Sequence, residues 1–327
     1  MNGCRTKMNK TSLSITLGVL VSIVVLVGGT VVYPVIDDLW VENPFWNGLS
    51  RFYTTYQPVR MKDYNELDAL LNPRNSTLFI IGPYKEFTDG EVSSLLGYIG
   101  RGGTLVLADD FGVGNLMLES LGMDVRFDSG LLRDPIFREK NRNMPRATAN
   151  LAGLGYIVLN YPTVLRGVDE GFVSVWSSPL SRVSELGVSD PVWYDSYPIM
   201  ASIPVSLGRV VVLSDSSVFI NSMLDKGDNK ELLSTLARGT IVIDEAHSTQ
   251  SRLIVVKSFL SNIYSYFGFY EIRYALVLVI LFGVLRMNLS ITGSRVDPVE
   301  DLMERYPEYD RKQVEWLQKE RRKAYGE

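Results

Sequence analysis

Two apolar segments flank a long region in which hydrophobic and polar positions alternate. The first segment, residues 11–36, contains no charged residue. As a helix it is long enough to cross a hydrocarbon layer of about 30 Å. Because lipid offers the backbone no hydrogen-bond partner, a helix is expected even though the segment is rich in β-branched residues. We predict a transmembrane helix over residues 12–36. A cleaved signal peptide is the alternative, but the apolar run is longer than usual for one and no A-x-A-like site follows it.

The second apolar segment is shorter. Tyr274–Leu285 is strongly apolar but too short to span a bilayer by itself. Extension to residues 268–289 places Glu271 and Arg273 near one interface and Arg286 near the other, where long side chains reach the headgroups. We predict a second transmembrane helix over residues 268–289. A buried core helix is the alternative.

Charged residues beside the two segments set their orientation. Basic residues precede the first segment, acidic residues follow it, and basic residues follow the second. The positive-inside rule then predicts a two-pass protein of the cell membrane with both chain ends in the cytoplasm. The predicted parts are a cytoplasmic N-terminus (1–11), a transmembrane helix (12–36), an extracytoplasmic α/β domain (37–267), a second transmembrane helix (268–289) and a cytoplasmic helical tail (290–327).

Between these segments, apolar runs alternate with amphipathic stretches. Two apolar runs, Thr77–Ile81 and Thr104–Ala108, are typical of strands buried in a parallel sheet. Two later runs, Arg209–Leu213 and Thr240–Ile243, are predicted as further strands of the same sheet. One predicted helix is capped by Thr88 or Asp89. Three more are predicted over Gly114–Leu121, Ser216–Leu224 and Asn229–Ala237. Segments 156–159 and 192–202 are typical of antiparallel additions. This order predicts an α/β fold with a doubly wound, mostly parallel sheet.

Composition restricts the classes of function. The formal net charge is −4 at pH 7, so the chain lacks the positive charge typical of nucleic-acid-binding proteins, and we expect no nucleic-acid partner. One cysteine, Cys4, and one histidine, His247, exclude a disulfide scaffold and a zinc site rich in these residues. We expect no cofactor.

Basic residues cluster at two places. Five lie in the irregular middle of the domain among only two acidic residues: Arg133, Arg138, Lys140, Arg142 and Arg146. An exposed loop that meets an acidic partner or lipid headgroups is one interpretation, and a solvated loop is the other. The tail holds a predicted helix over residues 310–323 that ends in a basic run. It either docks on a protein or on the inner leaflet, or remains a solvated tail.

Several motifs in a fixed order carry a family resemblance. They are Phe79-Ile80-Ile81-Gly82-Pro83, the segments 102–115, 208–215 and 242–247, and Trp46-Asn47-Gly48 near the start of the domain. Over about residues 40–250 the chain resembles the family known as domain of unknown function 4350. The resemblance implies a fold like that of class I glutamine amidotransferases, held outside the membrane, and partners among membrane proteins and MoxR-type AAA ATPase systems. The family has no established reaction.

The chemistry of related folds is missing from the expected positions. Amidotransferases of this fold use a cysteine nucleophile on a tight strand-to-helix turn. Here that turn reads Asp109-Asp110-Phe111-Gly112, and Cys4 lies on the other side of the predicted membrane. The helicase-like sequence Asp244-Glu245-Ala246-His247 lacks an accompanying phosphate-binding loop. We therefore predict no catalytic residues and no glutamine hydrolysis.

Polar residues follow three of the predicted strands, at the edge where open α/β sheets bind ligands. The candidate ligand-binding residues are Asp109, Asp110, Gly112, Gly114, Asn115, Asp215, Ser216, Asp244, Glu245 and His247. Carboxylates can hold a divalent cation, and free N–H groups at helix starts attract anions. Helix capping and turn formation are the more ordinary roles for Asp and Ser. A hydrolase that uses Ser216 and His247 would lack the usual G-x-S-x-G turn.

These observations predict a binding or assembly component of a membrane complex, with a catalytically incomplete amidotransferase-like domain outside the membrane. The bilayer and other membrane or AAA ATPase-associated proteins are its expected partners. An extracytoplasmic hydrolase, or a protein that binds a metal or another ligand through the acidic loops, is the alternative.

Overall fold

A computed structural model describes residues 10–67, 72–184, 193–249, 251–266 and 298–325, together with positions 274, 277, 278, 281 and 282. The chain divides into two compact units, Met1–Lys257 and Ser258–Glu327.

A nine-stranded sheet organises the first unit. The strands are β1 (Val59–Met61), β2 (Ser76–Ile81), β3 (Thr104–Ala108), β4 (Arg126–Phe127), β5 (Leu131–Arg133), β6 (Arg146–Ala149), β7 (Tyr156–Val158), β8 (Leu165–Arg166), β9 (Val173–Ser177), β10 (Arg182–Ser184), β11 (Pro198–Val205), β12 (Gly208–Leu213) and β13 (Thr240–Asp244). The large sheet has the order β1-β13-β2-β3-β12-β11-β9-β6-β7. Strands β10 and β5 form one small antiparallel pair, and β4 and β8 form another.

Burial explains why the central strands read as continuous apolar runs. All six residues of β2 are buried, as a strand covered on both faces requires. Because side chains alternate along a strand, Phe79 and Ile81 enter one hydrophobic cluster while Leu78 and Ile80 enter another on the opposite face. The sheet therefore separates two apolar layers.

Eight helices lie in the described residues: α1 (Lys10–Val32), α2 (Ser50–Tyr56), α3 (Asp89–Gly100), α4 (Gly114–Ser120), α5 (Asn229–Leu236), α6 (Arg252–Tyr266), α7 (Pro298–Arg305) and α8 (Arg311–Tyr325). Helix α3 starts with a capping box in which the Thr88 side chain accepts from the Glu91 N–H and Glu91 accepts from the Thr88 N–H. This confirms the predicted helix start. The tail helix predicted over residues 310–323 is present as α8.

Within the described ranges, no helix combines the length and the apolar character needed to cross a membrane. Most of the predicted second transmembrane helix, residues 268–289, lies outside the described residues.

The sheet is mixed, so the prediction of a mostly parallel sheet is only partly correct. Strands β1, β13, β2, β3 and β12 run parallel to their neighbours in that order. The remaining four strands, β11, β9, β6 and β7, are antiparallel. The two predicted antiparallel additions are present as β7 and β11. The short strands β6 and β9, whose residues are alternately buried, lie beside them and make the antiparallel half larger than the apolar runs predict.

The predicted helix over Ser216–Leu224 is wrong. Only a 3-10 turn forms, over Ser216–Phe219, and the chain becomes extended at Ile220. A long-range contact explains the difference, because the Asn221 side chain donates to the backbone oxygens of Asn43 and Phe45. These bonds hold the segment out of a continuing helix.

Replacement of Phe79 by alanine tests the importance of the sheet core. Phe79 is fully buried, and its ring meets Phe52 edge-on at a centroid distance of 5.1 Å. We expect Phe79→Ala to lower the free energy of unfolding by about 3–5 kcal/mol, measured by denaturant titration. The exposed Leu96 of α3 provides the control, and Leu96→Ala should change the free energy of unfolding by less than about 0.5 kcal/mol. Equal losses in the two variants would contradict this account of the core.

Candidate functional site

The ten predicted site residues fall into two groups, because β2 separates the strands that carry them. Ala108, at the end of β3, lies in register with Leu213 at the end of β12. Loops 109–115 and 214–217 are therefore neighbours at the carboxyl edge. Strand β13, which ends in Asp244, lies on the other side of β2. We call these the β3–β12 group and the β13 group.

Asp109 organises the loop that follows β3. One of its carboxylate oxygens accepts from the N–H groups of Asp110 (2.9 Å) and Gly112 (3.1 Å), and the other accepts from Gly114 (2.7 Å). A Cβ atom at Gly112 or Gly114 would lie 2.6 or 2.5 Å from a carboxylate oxygen of Asp109. Both glycines thus let the loop close around Asp109, and their N–H groups are engaged by it.

Asn115 also has a structural role. Its side-chain amide donates to the backbone oxygen of Phe127 (2.9 Å), and its side-chain oxygen accepts from the Phe127 N–H (2.8 Å). This two-way contact ties α4 to β4. An Asn at a helix start is compatible with either role, so the sequence alone does not separate this structural contact from ligand binding.

Asp215 and the half-buried Asp110 bring further carboxyl groups to the β3–β12 group. Asp215 is fully buried and accepts from the N–H groups of Asn160 (2.6 Å) and Ser217 (2.8 Å). Asp110 accepts from the Phe111 N–H (2.9 Å), and the Ser216 hydroxyl lies 3.5 Å from it. The Ser216 hydroxyl therefore faces Asp110.

Burial dominates the electrostatics of these three carboxyl groups. It raises the pKa of Asp109 from its ordinary value of 3.8 to about 6, although the N–H groups around Asp109 act in the opposite direction. Burial raises the pKa of Asp110 as well. The pKa of Asp215 is raised well above its usual range, first by burial and then by the negative charge of Asp110. Three carboxyl groups thus share a site of low polarity.

The β13 group is built around a buried histidine. His247 Nδ1 lies 3.1 Å from an Asp244 oxygen, and Nε2 lies 3.5 Å from an oxygen of Glu91. The imidazole stacks on Phe87 at a centroid distance of 3.7 Å and meets Tyr64 edge-on. The buried Tyr64 hydroxyl has a pKa raised well above its usual range by burial and by the charges of Asp244 and Glu91. Both imidazole nitrogens therefore face carboxylates, and the cluster joins the loop after β13 to the start of α3.

Glu245 completes the β13 group through a contact that sequence reasoning missed. One of its carboxylate oxygens pairs with the Arg60 guanidinium of β1, which also pairs with Glu42. The other oxygen is buried and has no hydrogen-bond partner among the described residues. Burial raises the pKa of Glu245 even though Arg60 lowers it. In the sequence, Arg60 is only a basic residue within the short β1 segment. The pairing of β1 with β13 places Arg60 beside Glu245.

A metal ion finds no ready set of ligands in the part of the chain that the structure describes. No cluster of three or more His, Cys, Asp or Glu side chains there is placed to hold one. The carboxylates at the carboxyl edge instead accept from backbone N–H groups or pair with Arg60 and His247.

The mixed, partly parallel sheet with helices around it defines an α/β domain. The profile of the family described as domain of unknown function (DUF4350) matches residues 41–237. The chain belongs to the DUF4350 family, which confirms the resemblance seen in the sequence. No curated protein matches the chain significantly.

Several solved structures are distantly similar. The mmIFT52 N-terminal domain is 18% identical with a TM-score of 0.43, over 57% of this chain and 85% of that one. The exo-β-1,4-mannosidase Op5Man5 from Opitutaceae bacterium strain TAV5 is 12% identical with a TM-score of 0.27, over 49% of this chain and 22% of that one. A β-galactosidase from Bacillus circulans sp. alkalophilus is 12% identical with a TM-score of 0.28, over 54% of this chain and 28% of that one. These likenesses are too distant to define what this chain does.

Replacement of Asp109 by asparagine tests whether its carboxyl group stabilises the loop. Asparagine keeps only one acceptor oxygen, so at least one of the three N–H groups loses its partner, and we expect a loss of about 1–3 kcal/mol. Because the folded-state pKa is raised, the contribution of Asp109 is fully present below about pH 4 and is lost as the pH rises through about 6. The loss in Asp109→Asn, measured by denaturant titration, should therefore be largest near pH 4 and smaller at pH 7.

The exposed Asp124 provides a matched control for this charge change. Asp124→Asn should alter stability by less than about 0.5 kcal/mol at both pH values. A loss in Asp109→Asn that grows with pH would contradict the raised pKa.

Proposed function

We propose that this protein is a membrane-anchored binding or assembly component without catalytic activity of its own. Its amidotransferase-like domain, residues 37–267, would lie outside the cytoplasm between transmembrane helices at 12–36 and 268–289. The tail, residues 290–327, would lie in the cytoplasm. One observation carries the non-catalytic part of this proposal: the acidic and imidazole groups at the carboxyl edge are engaged in holding the loops of the fold.

The composition of the candidate nucleophile turn supports this proposal. The turn after β3 presents Asp109, whose oxygens already accept from three backbone N–H groups, in place of a thiol. The Ser216 hydroxyl faces Asp110, while both nitrogens of His247 face Asp244 and Glu91. A serine and an imidazole that face different carboxylates do not form the pair that nucleophilic catalysis requires.

Support for the anchors comes from the sequence. Residues 11–36 are uncharged, and basic residues precede them. Family resemblance suggests MoxR-type AAA ATPase systems and membrane proteins as partners. The basic helix α8 of the tail offers a cytoplasmic surface for them.

The single cysteine makes the proposed orientation testable. A membrane-impermeant maleimide should leave Cys4 unlabelled in intact spheroplasts and label it after detergent treatment. Moving the cysteine to the exposed Ser120, in a Cys4→Ser/Ser120→Cys variant, should give labelling without detergent. Labelling of Cys4 in intact spheroplasts, or release of the protein from membranes by alkaline carbonate, would overturn the proposed topology.

The proposed role itself is tested by isolation and assay of the full chain. Tagged protein purified from solubilised membranes should bring down a MoxR-type ATPase or its partner proteins, identified by mass spectrometry. A variant truncated after residue 297, which lacks α7 and α8, serves as the comparison. The purified chain should release no ammonia from glutamine above a buffer blank. Glutaminase activity would refute the non-catalytic role.

A ligand site in the β3–β12 group is the second candidate function. Buried carboxyl groups with raised pKa values are a feature of functional sites. Next to Asn160, which donates to Asp215, Tyr161 has a φ of 56°, a strained backbone conformation for an aromatic residue. A melting temperature that rises with added calcium or magnesium, and that Asp110→Asn makes insensitive to them, would favour this candidate.

A further inference from the structure

Three arginine residues lie near one another where the small β5–β10 sheet meets the loop before β6. Arg133 of β5 and Arg182 of β10 lie directly opposite each other in this antiparallel pair. Side chains at opposite positions of antiparallel strands are about 5 Å apart at Cβ, and like charges there repel. Arg142 belongs to the adjoining loop, whose backbone oxygen at Arg142 accepts from the Asp134 N–H (2.9 Å).

The charge of this arginine cluster is not neutralised among the described residues. No described carboxylate forms an ion pair with Arg133, Arg142 or Arg182. The nearest acid in the sequence, Asp134, is buried and accepts from the N–H groups of Ile136 and Phe137 (both 2.7 Å) and from serine hydroxyls. These hydrogen bonds engage the Asp134 carboxylate in the turn that follows β5, and it forms no ion pair with the three arginines.

One buried donor of this cluster, the Nε of Arg133, has no hydrogen-bond partner among the described residues. Leaving such a charged donor unsatisfied is costly, since guanidinium groups form strong, charge-assisted bonds. The pKa of Arg133 is lowered by burial and by the charges of Arg142 and Arg182, which agrees with the crowding of positive charge.

We propose that Arg133, Arg142 and Arg182 form a binding site for a phosphate group. Guanidinium groups present paired donors that match the oxygens of phosphate, and an anion between them would relieve their mutual repulsion. Ile136 and Phe137, 63% and 49% exposed on the same loop, give the site an apolar margin. The phosphate belongs either to a soluble anion or to a lipid headgroup, which share this chemistry.

Thermal unfolding of the full chain in detergent tests the site in two arms. The first arm titrates inorganic phosphate against chloride at constant ionic strength. The second adds short-chain phosphatidic acid, with short-chain phosphatidylcholine as the control lipid. In at least one arm, saturating ligand should raise the melting temperature by about 2–4 °C. A response to inorganic phosphate identifies a soluble anion, and a response to phosphatidic acid alone identifies a lipid headgroup. No response in either arm overturns the proposal.

Variants separate a binding role from a purely structural one. Arg142→Gln and Arg182→Gln should abolish the response, yet should not lower the melting temperature in chloride because each removes a repulsion. Arg74→Gln, the same charge change at an exposed residue in the turn before β2, should retain the response. A lowered melting temperature with the response intact would show that the arginines are only structural.

A last variant tests whether the chain supplies its own counter-charge. Glu185 and Asp190 follow β10 in the sequence and lie outside the described residues. If the arginines bind phosphate, the double variant Glu185→Gln/Asp190→Asn should show the same ligand-induced rise in melting temperature as the unaltered protein. A response that appears only in this double variant would mean that these carboxylates already occupy the arginines, and it would overturn the proposal. Neither result depends on whether the protein is anchored in a membrane.

Discussion

Burial of the central parallel strands on both faces is the constraint on which the rest of the carboxyl edge depends. Strands β2 and β3 lie between two apolar layers, so the loops that leave them start in surroundings with little water. Buried polar groups in such surroundings need protein partners. Asp109 accepts from three backbone N–H groups, and Asp215 accepts from two. Residues whose types and positions suggest a ligand site thereby hold the loops that the fold requires.

The same requirement explains the β13 group, where the partners are side chains. Asp244 and Glu91 flank His247, and Arg60 compensates one oxygen of Glu245. These contacts join β1, β13 and the start of α3, elements that are distant in the sequence. The arginine cluster beside β5 and β10 differs, because its charges face one another and the buried Arg133 Nε lacks a partner among the described residues.

Local sequence signals were reliable where local physics dominates. The β3 strand has its predicted limits, β2 is one residue longer than predicted, and the capping box at Thr88 starts α3 as expected. Long apolar runs and caps depend on neighbours in the chain, so they can be read without the fold. The helix predicted after Ser216 failed because Asn221 bonds to the backbone near residue 43, and the sequence gives no sign of that contact. The extent of the antiparallel half was likewise missed, since its strands are short and only partly apolar.

The sequence alone determined that β2 and β3 are buried strands, that residues 37–267 contain no cysteine, and that acidic residues follow β3, β12 and β13. The tertiary structure decided that these residues form two groups, because β2 lies between β13 and β3. It also decided their partners, since Arg60, Glu91 and Asn160 reach them only through strand pairing and loop packing. The physical reason is one of range: burial and capping depend on nearby residues, whereas the pairing of a buried charge depends on which distant segment the fold places beside it.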